Sequence, residues 1–276
     1  STFFNIMKPK VGDKRIMGLC IIIPGIIDAE NKRILSTVIG VGYSDPVVQR
    51  FEEAFHDYPF CLLNDTACFA YAEYVFANIT EPNFAYINVS KGVGACLFAN
   101  GKMLRGAGGN ATQFGHFSVD RNGPLCACGN HGCVERVVGE NALTERAEAC
   151  GIDLTRFAGR KPLYCDIGAM AEDGNAHAKE LIKDLAVDLS FAISNLITLF
   201  NPSLVVIGGM GVNLGPFFLS NIRDEVQNSG FKEFVSNTWI QYSTLGLDSE
   251  LGGAARYYID HYYDFFEQMQ GGLYAD

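Results

Sequence analysis

Short continuous apolar runs alternate along this chain with longer stretches in which apolar residues recur every three or four positions, a pattern that predicts strands interleaved with helices. The run over 17–23 is rich in Ile and Leu and closes at Pro24-Gly25, which reads as a strand buried on both faces that then enters a loop. Asp45-Pro46 supplies an N-cap and a first-turn proline for a helix reaching about His56. A second buried strand over 60–63 ends at Asn64-Asp65, and 66–77 is an amphipathic helix. Strands follow at 84–89 and 94–99, and Asn100-Gly101 is a two-residue hairpin signal before a third antiparallel strand over 102–104.

Past a cysteine-rich segment the pattern turns helical, over 139–150, 166–173 and 175–200. In the last of these, Leu181, Leu185, Leu189, Ile193 and Ile197 repeat every four positions until Asn201-Pro202 stops the helix. A buried strand over 204–207 leads through Gly208-Gly209-Met210-Gly211 to a helix starting near Gly215. The last strand covers 238–242 and the last helix 252–268. The succession predicts an α/β protein with no internal repeat. A glycine-rich stretch at 106–109 marks a domain boundary, giving a smaller α/β domain over 1–112 and a larger one over 113–276. The final helix is expected to pack back on the smaller domain.

Composition narrows the function classes. The chain has 276 residues, 48% of them hydrophobic, and a mean hydropathy of +0.10, enough for sizeable cores. A formal net charge of −10 argues against a broad DNA-binding or anionic-membrane face. No membrane helix or signal-peptide pattern stands out, so a cytoplasmic location is expected. Nine cysteines are an odd count for a disulfide scaffold. Six of them, Cys20, Cys61, Cys68, Cys96, Cys150 and Cys165, sit mostly in apolar segments and read as reduced core residues.

The remaining three lie in the densest chemistry of the chain. His116, Cys126, Cys128 and Cys133 fall within eighteen residues separated by turn-forming glycines, a spacing that points four soft ligands at a tetrahedral Zn²⁺. The bland alternative is a set of core cysteines with a surface histidine. His131 competes as the fourth ligand but sits in the tight turn, and His116 is favoured. Gln113 and Glu135 flank the knuckle and suggest a ligand site propped open by the metal. At Asn64-Asp65, Asp65 can serve as a general base or bind a hydroxyl, or it can simply cap the following helix, a job that Asn64 or Thr66 can also do. Ser90-Lys91-Gly92-Val93-Gly94 can cradle a phosphate or be an ordinary hairpin loop, and the Gly208–Gly211 turn is an anion-ready but weak signal. The late aromatics, Tyr257-Tyr258, Tyr262-Tyr263 and Phe265-Phe266, read as packing or dimer surface.

Taken in order, Pro24-Gly25-Ile26-Ile27-Asp28, Asn64-Asp65 with Glu73 nearby, Gly92-Val93-Gly94, Gly115-His116, the block from Cys126 to Glu135 and Val206-Ile207-Gly208-Gly209 resemble the ROK family (repressor, open reading frame, kinase) over about residues 18–256. The cysteine block is the specific part; the glycine turns are not. The resemblance implies an actin-like, ribonuclease-H-like fold of two α/β domains around a sugar cleft. It also implies zinc on His116, Cys126, Cys128 and Cys133, and sugar contacts from Asn64, Asp65, Gln113, His116 and Glu135.

Departures from the family pattern separate its two branches. Sugar kinases of the family carry an Asp-x-Gly-Gly-Thr phosphate loop near the N-terminus, and nothing like it precedes Met17. Their second phosphate loop, Gly-Thr-Gly-x-Gly, reads Ser90-Lys91-Gly92-Val93-Gly94 here, and their glutamate three before the histidine is Gln113. The knuckle, Leu199-Phe200-Asn201-Pro202 and Pro24–Asp28 look like the repressor branch, which carries a winged helix-turn-helix ahead of its sugar domain. The expectation is therefore the effector-binding part of a sugar-responsive repressor, with the N-terminal part of the first domain and any DNA reader outside this chain. A sugar or sugar phosphate is the expected ligand, and a homodimer or homotetramer the expected assembly. The competing expectation is an ATP-dependent sugar kinase, with Asp65 as general base, ATP and Mg²⁺ as cofactors, and Gly92, Gly94, Gly208 and Gly209 at the nucleotide.

Overall fold

The computed structural model describes residues 9–12, 15–29, 31–37, 46–157 and 159–263. The chain divides into two compact units, one from Ser1–Asn78, Gly106–Asn110 and Asp248–Asp276, the other from Ile79–Arg105 and Ala111–Leu247. This division does not follow a single cut at 112/113. The strands after residue 79 hydrogen-bond to a strand near 204, which draws them into the second unit, and the final helix returns to the first.

In the first unit β1 (Leu19–Ile23) pairs in parallel with β4 (Phe60–Asn64), with Cys20 beside Cys61 and Ile23 beside Asn64. Between them β2 (Gly25–Asp28) and β3 (Arg33–Thr37) form an antiparallel pair, followed by α1 (Val47–Ala54). The β2–β3 pair replaces the loop expected after Pro24-Gly25. A register irregularity between Ile26 and Ile27 breaks the two-residue alternation that would have announced it. Asp45, the expected cap of α1, lies outside the described residues. Ile23, Ile27, Ile34, Phe60 and Leu62 form the core of this layer. Out of β4 comes α2 (Asp65–Phe76), whose cap is Asn64: its Oδ1 accepts from the Ala67 N–H at 3.2 Å, while its Nδ2 donates to the Gly25 carbonyl at 2.7 Å.

The second unit is built on a five-stranded sheet in the order β7-β6-β5-β8-β9. Its strands β5 (Phe84–Val89), β6 (Val93–Ala99) and β7 (Lys102–Met103) form the expected antiparallel set, turned at Asn100 and Gly101. Helices α3 (Val134–Val138), α4 (Glu140–Ala149), α5 (Tyr164–Glu172) and α6 (Ala176–Phe200) follow. The 25-residue α6 begins at Asn175, whose side chain accepts from the Ala178 N–H, and stops at Asn201 in the left-handed conformation. Its periodic face, Leu181, Leu185, Leu189, Ile193 and Ile197, is fully buried. Next β8 (Leu204–Gly208) runs parallel to β5, a 3₁₀ turn over Met210–Leu214 leads to α7 (Gly215–Asn228), and α8 (Lys232–Val235) precedes β9 (Trp239–Tyr242), parallel to β8.

Finally α9 (Ser249–Tyr262) packs on α2 within the first unit, where Gly253 brings the two helices close enough that a Cβ would overlap the Cys68 carbonyl. It starts three residues earlier than expected, and the predicted continuation to 268, with Phe265-Phe266, lies outside the described residues. Tyr257 and Tyr258 are buried while Tyr262 is exposed. Of the six cysteines read as core, Cys61, Cys68 and Cys96 are buried and Cys20 and Cys150 partly so, but Cys165 is exposed on α5. No helix among the described residues is long and apolar enough to cross a membrane.

Candidate functional site

The second unit gathers its chemistry at the end of the sheet where β5 and β8 finish, the end at which parallel α/β sheets present ligand-binding loops. A 3₁₀ turn, Phe114–His116, lies against β6 because Gly115 carries no side chain; a Cβ there would overlap the Val93 carbonyl oxygen. The chain then makes a small antiparallel ladder, with bridges Ser118–Cys133 and Leu125–His131, before entering α3. Backbone bonds Val119 N–H to Gly132 O and Cys126 N–H to Asn130 O, at 2.9 and 2.8 Å, tie the ladder together.

This ladder brings His116, Cys126, Cys128 and Cys133 together, with their ligand atoms all within 4.8 Å of one another. His116 Nδ1 lies 3.6 Å from Cys126 Sγ, and Cys128 Sγ lies 3.6 Å from Cys133 Sγ. A tetrahedral zinc with Zn–S near 2.3 Å and Zn–N near 2.0 Å separates its ligands by roughly 3.5–3.8 Å, so the donor set and its spacing fit that ion. The thiols make the same point. The Asn130 backbone N–H holds Cys128 below its ordinary value, whereas burial and the sulfurs of Cys128 and Cys126 push Cys133 up to about 12. A cation among them would favour the thiolate forms. His131 takes no part; its Nδ1 donates to the Gly123 carbonyl at 3.0 Å on the exposed side.

Cys133 is the N-cap residue of α3, which places Glu135 in the first turn of that helix. The Glu135 carboxylate lies on Gly92, where a Cβ would collide with Oε2. Gly115 on Val93 and Glu135 on Gly92 thus close on the same end of β6, and Gln113 and His116 flank Gly115 in the 3₁₀ turn that meets it. Of the expected sugar contacts, these three belong to the second unit; Asn64 and Asp65 belong to the first.

The glycines considered for a nucleotide have packing reasons of their own. Residues 90–92 form a tight hairpin loop between Val89 and Val93, with Ser90 N–H bonded to Gly92 O at 2.9 Å, and Gly94 is paired with Asn88 inside the sheet. Gly208, the last residue of β8, lies on the Tyr86 ring. Gly209, at φ +79°, leaves no room for a Cβ beside Asn88 Oδ1 and Ser90 Oγ. Above them the Met210 N–H donates to Ser90 Oγ at 3.1 Å, and Ser90 Oγ donates to Asn88 Oδ1 at 2.9 Å. Ser90 therefore satisfies the Met210 N–H from within the protein. Sequence reading treated Ser90 only as part of a candidate loop; its partner at Met210 is visible only once β5 and β8 are paired.

In the first unit Asp65 opens α2 and accepts from the Thr66 N–H at 2.8 Å. Burial raises its carboxyl above the ordinary value of 3.8, and nearby Glu250, at the start of α9, is raised by burial, by Asp65 and by Asp248. Asn64 rather than Asp65 carries the capping role.

A family model described as the ROK family matches residues 3–260. The xylose repressor of Bacillus subtilis (strain 168) is 26% identical over 250 residues, which cover 90% of this chain and 62% of the repressor. The chain therefore spans less than two thirds of the length of that relative. A solved ROK family transcriptional regulator, described as a homolog of the E. coli MLC protein, superposes with a TM-score of 0.76 at 26% identity, covering 92% of this chain and 64% of the regulator. A ROK family glucokinase from Streptomyces griseus, solved with glucose and AMPPNP, gives a TM-score of 0.77 at 23% identity, covering 93% and 86%. These likenesses establish an actin-like, ribonuclease-H-like α/β fold. The chain belongs to the ROK family, nearer in sequence to its repressors than to its sugar kinases.

Proposed function

We propose that this chain is the sugar-binding effector part of a ROK-type transcriptional regulator. Zinc on His116, Cys126, Cys128 and Cys133 holds the knuckle in shape. With the metal on Nδ1, the His116 tautomer is fixed and Nε2 is left for a sugar hydroxyl. In the same unit Gln113 and Glu135 offer a neutral amide and a carboxylate for hydroxyls, and in the first unit Asn64 and Asp65 are the residues suited to hydroxyls. The ligand is a monosaccharide or its phosphate. It signals only to the extent that it binds one conformation of the regulator more tightly than another. With a net charge of −10, these residues leave DNA contact to a separate basic domain of the regulator.

The observation that carries this reading is the bond from Met210 N–H to Ser90 Oγ. It engages the Met210 N–H from within the protein, and Ser90-Lys91 in place of Gly-Thr takes the first glycine and the threonine hydroxyl out of the hairpin loop, while Asn64, Asp65, His116 and Glu135 are retained. The second reading, an ATP- and Mg²⁺-dependent sugar kinase with Asp65 as base and Gly92, Gly94, Gly208 and Gly209 at the nucleotide, is favoured by the half-buried Asp65, whose carboxyl is raised above its ordinary value by desolvation. An ADP-release assay with D-xylose, D-glucose and N-acetyl-D-glucosamine separates them. The regulator reading expects no sugar-dependent ADP. Turnover that disappears in Asp65→Asn would establish the kinase instead.

A further inference from the structure

Glu135 sits on a helix that cannot hold itself in place. With five residues, α3 has barely more than one turn, and so short a helix has no stability of its own in water. Its N-terminal end is fixed by the knuckle through Cys133 and by the Val134 N–H on the Phe117 carbonyl at 3.0 Å. Its C-terminal end is fixed by something sequence reading did not find. The buried phenol of Tyr164, on α5, directs its one hydrogen between two carbonyls, Val138 O at 2.9 Å and Ser90 O at 3.0 Å. One of these is the last residue of α3; the other opens the hairpin loop whose Gly92 receives the Glu135 carboxylate. A parallel backbone bond from the Glu140 N–H to Lys91 O, at 3.3 Å, closes the same seam.

We propose that Tyr164 is a positioning residue for sugar recognition, clamping the end of α3 to the 90–92 loop so that the Glu135 carboxylate stays aimed. This rests on the sugar-binding reading above. Burial raises the phenol well above its ordinary value, so it remains a donor throughout the physiological range. Losing the hydroxyl takes its donor from the buried Val138 carbonyl and the half-buried Ser90 carbonyl and releases the seam, whereas the ring and its packing survive in phenylalanine.

Titration calorimetry on zinc-loaded protein with D-xylose, D-glucose and N-acetyl-D-glucosamine tests this. The variants are Tyr164→Phe, Glu135→Gln and the double mutant. At least one sugar should bind the unmodified chain, Tyr164→Phe should weaken it about tenfold at full stoichiometry, and the double mutant should be no weaker than Glu135→Gln alone. Amide exchange at Glu140 should quicken in Tyr164→Phe while α6 keeps its protection. An unchanged affinity in Tyr164→Phe, a loss of stoichiometry alone, or additive effects in the double mutant would leave Tyr164 a purely structural residue and overturn the proposal. If Glu135→Gln abolishes binding while Tyr164→Phe does not, only the positioning role fails. If Glu135→Gln binds normally, or no sugar binds, the sugar-site reading fails and takes this one with it.

Discussion

Gly92 is a glycine because the Glu135 carboxylate occupies the space a side chain would fill. Its backbone is not in the left-handed region, so Gly92→Ala strains nothing locally and acts by pushing Glu135 aside. Sugar affinity should fall by roughly tenfold with little change in melting temperature, as read by calorimetry and thermal unfolding. Asp65 makes a second residue-level prediction. Its carboxyl is raised by burial, so the folded state holds more protons than the unfolded one between 3.8 and the folded value, and stability falls as pH rises through that window. Asp65→Asn should therefore melt higher than the unmodified chain at pH 7, with the gap closing below about pH 4; a lower melting temperature at pH 7 would contradict the burial argument. The residue types of the site were legible because cysteine, histidine and glycine spacing is local. The pairs that shape it, Glu135 with Gly92, Ser90 with Met210 and Tyr164 with Val138, were not, because each joins segments distant in sequence that only the tertiary fold brings together.

Among the elements, α6 was readable to within a residue, since a buried stripe and two asparagine caps all lie inside one segment. By contrast, β2 and β3 are four- and five-residue strands whose alternation is interrupted at Ile26–Ile27, and no periodicity survives to mark them. Asn64 ties β4, β2 and α2 with one side chain. Asn64→Ala should cost about 1 kcal/mol in chemical unfolding from the lost cap, and more where the Gly25 carbonyl is left without its donor. The knuckle has little core of its own, and the proposed zinc is what would hold it. Only Cys126 and Cys133 of the ligand set are buried, and the ladder has two isolated bridges. Cys128→Ser, or a chelator, should release about one zinc per chain and speed proteolysis within 117–133, while α6 keeps its amide protection. Zinc-free protein with an ordered knuckle would refute the structural role of the metal.

At the scale of the whole molecule, each unit is discontinuous in sequence. The first borrows residues 106–110 and the last helix, and the second begins as soon as β5 pairs toward β8. A single cut at 112/113 misses this because parallel pairing between segments more than a hundred residues apart leaves no trace in local composition. Within the first unit α9 packs on α2. The central claim for the molecule is recognition of a sugar without phosphoryl transfer. Ligand binding to the folded state alone raises stability by about 2.7 kcal/mol at a hundred times Kd, which for a chain of this size corresponds to roughly 5 °C or more in Tm. The most direct measurement is the Tm of the zinc-loaded protein against a monosaccharide panel, with Mg²⁺-ATP as the comparison ligand. A shift of that size with at least one sugar and none with ATP is the predicted result. A shift with ATP and none with any sugar would contradict the account.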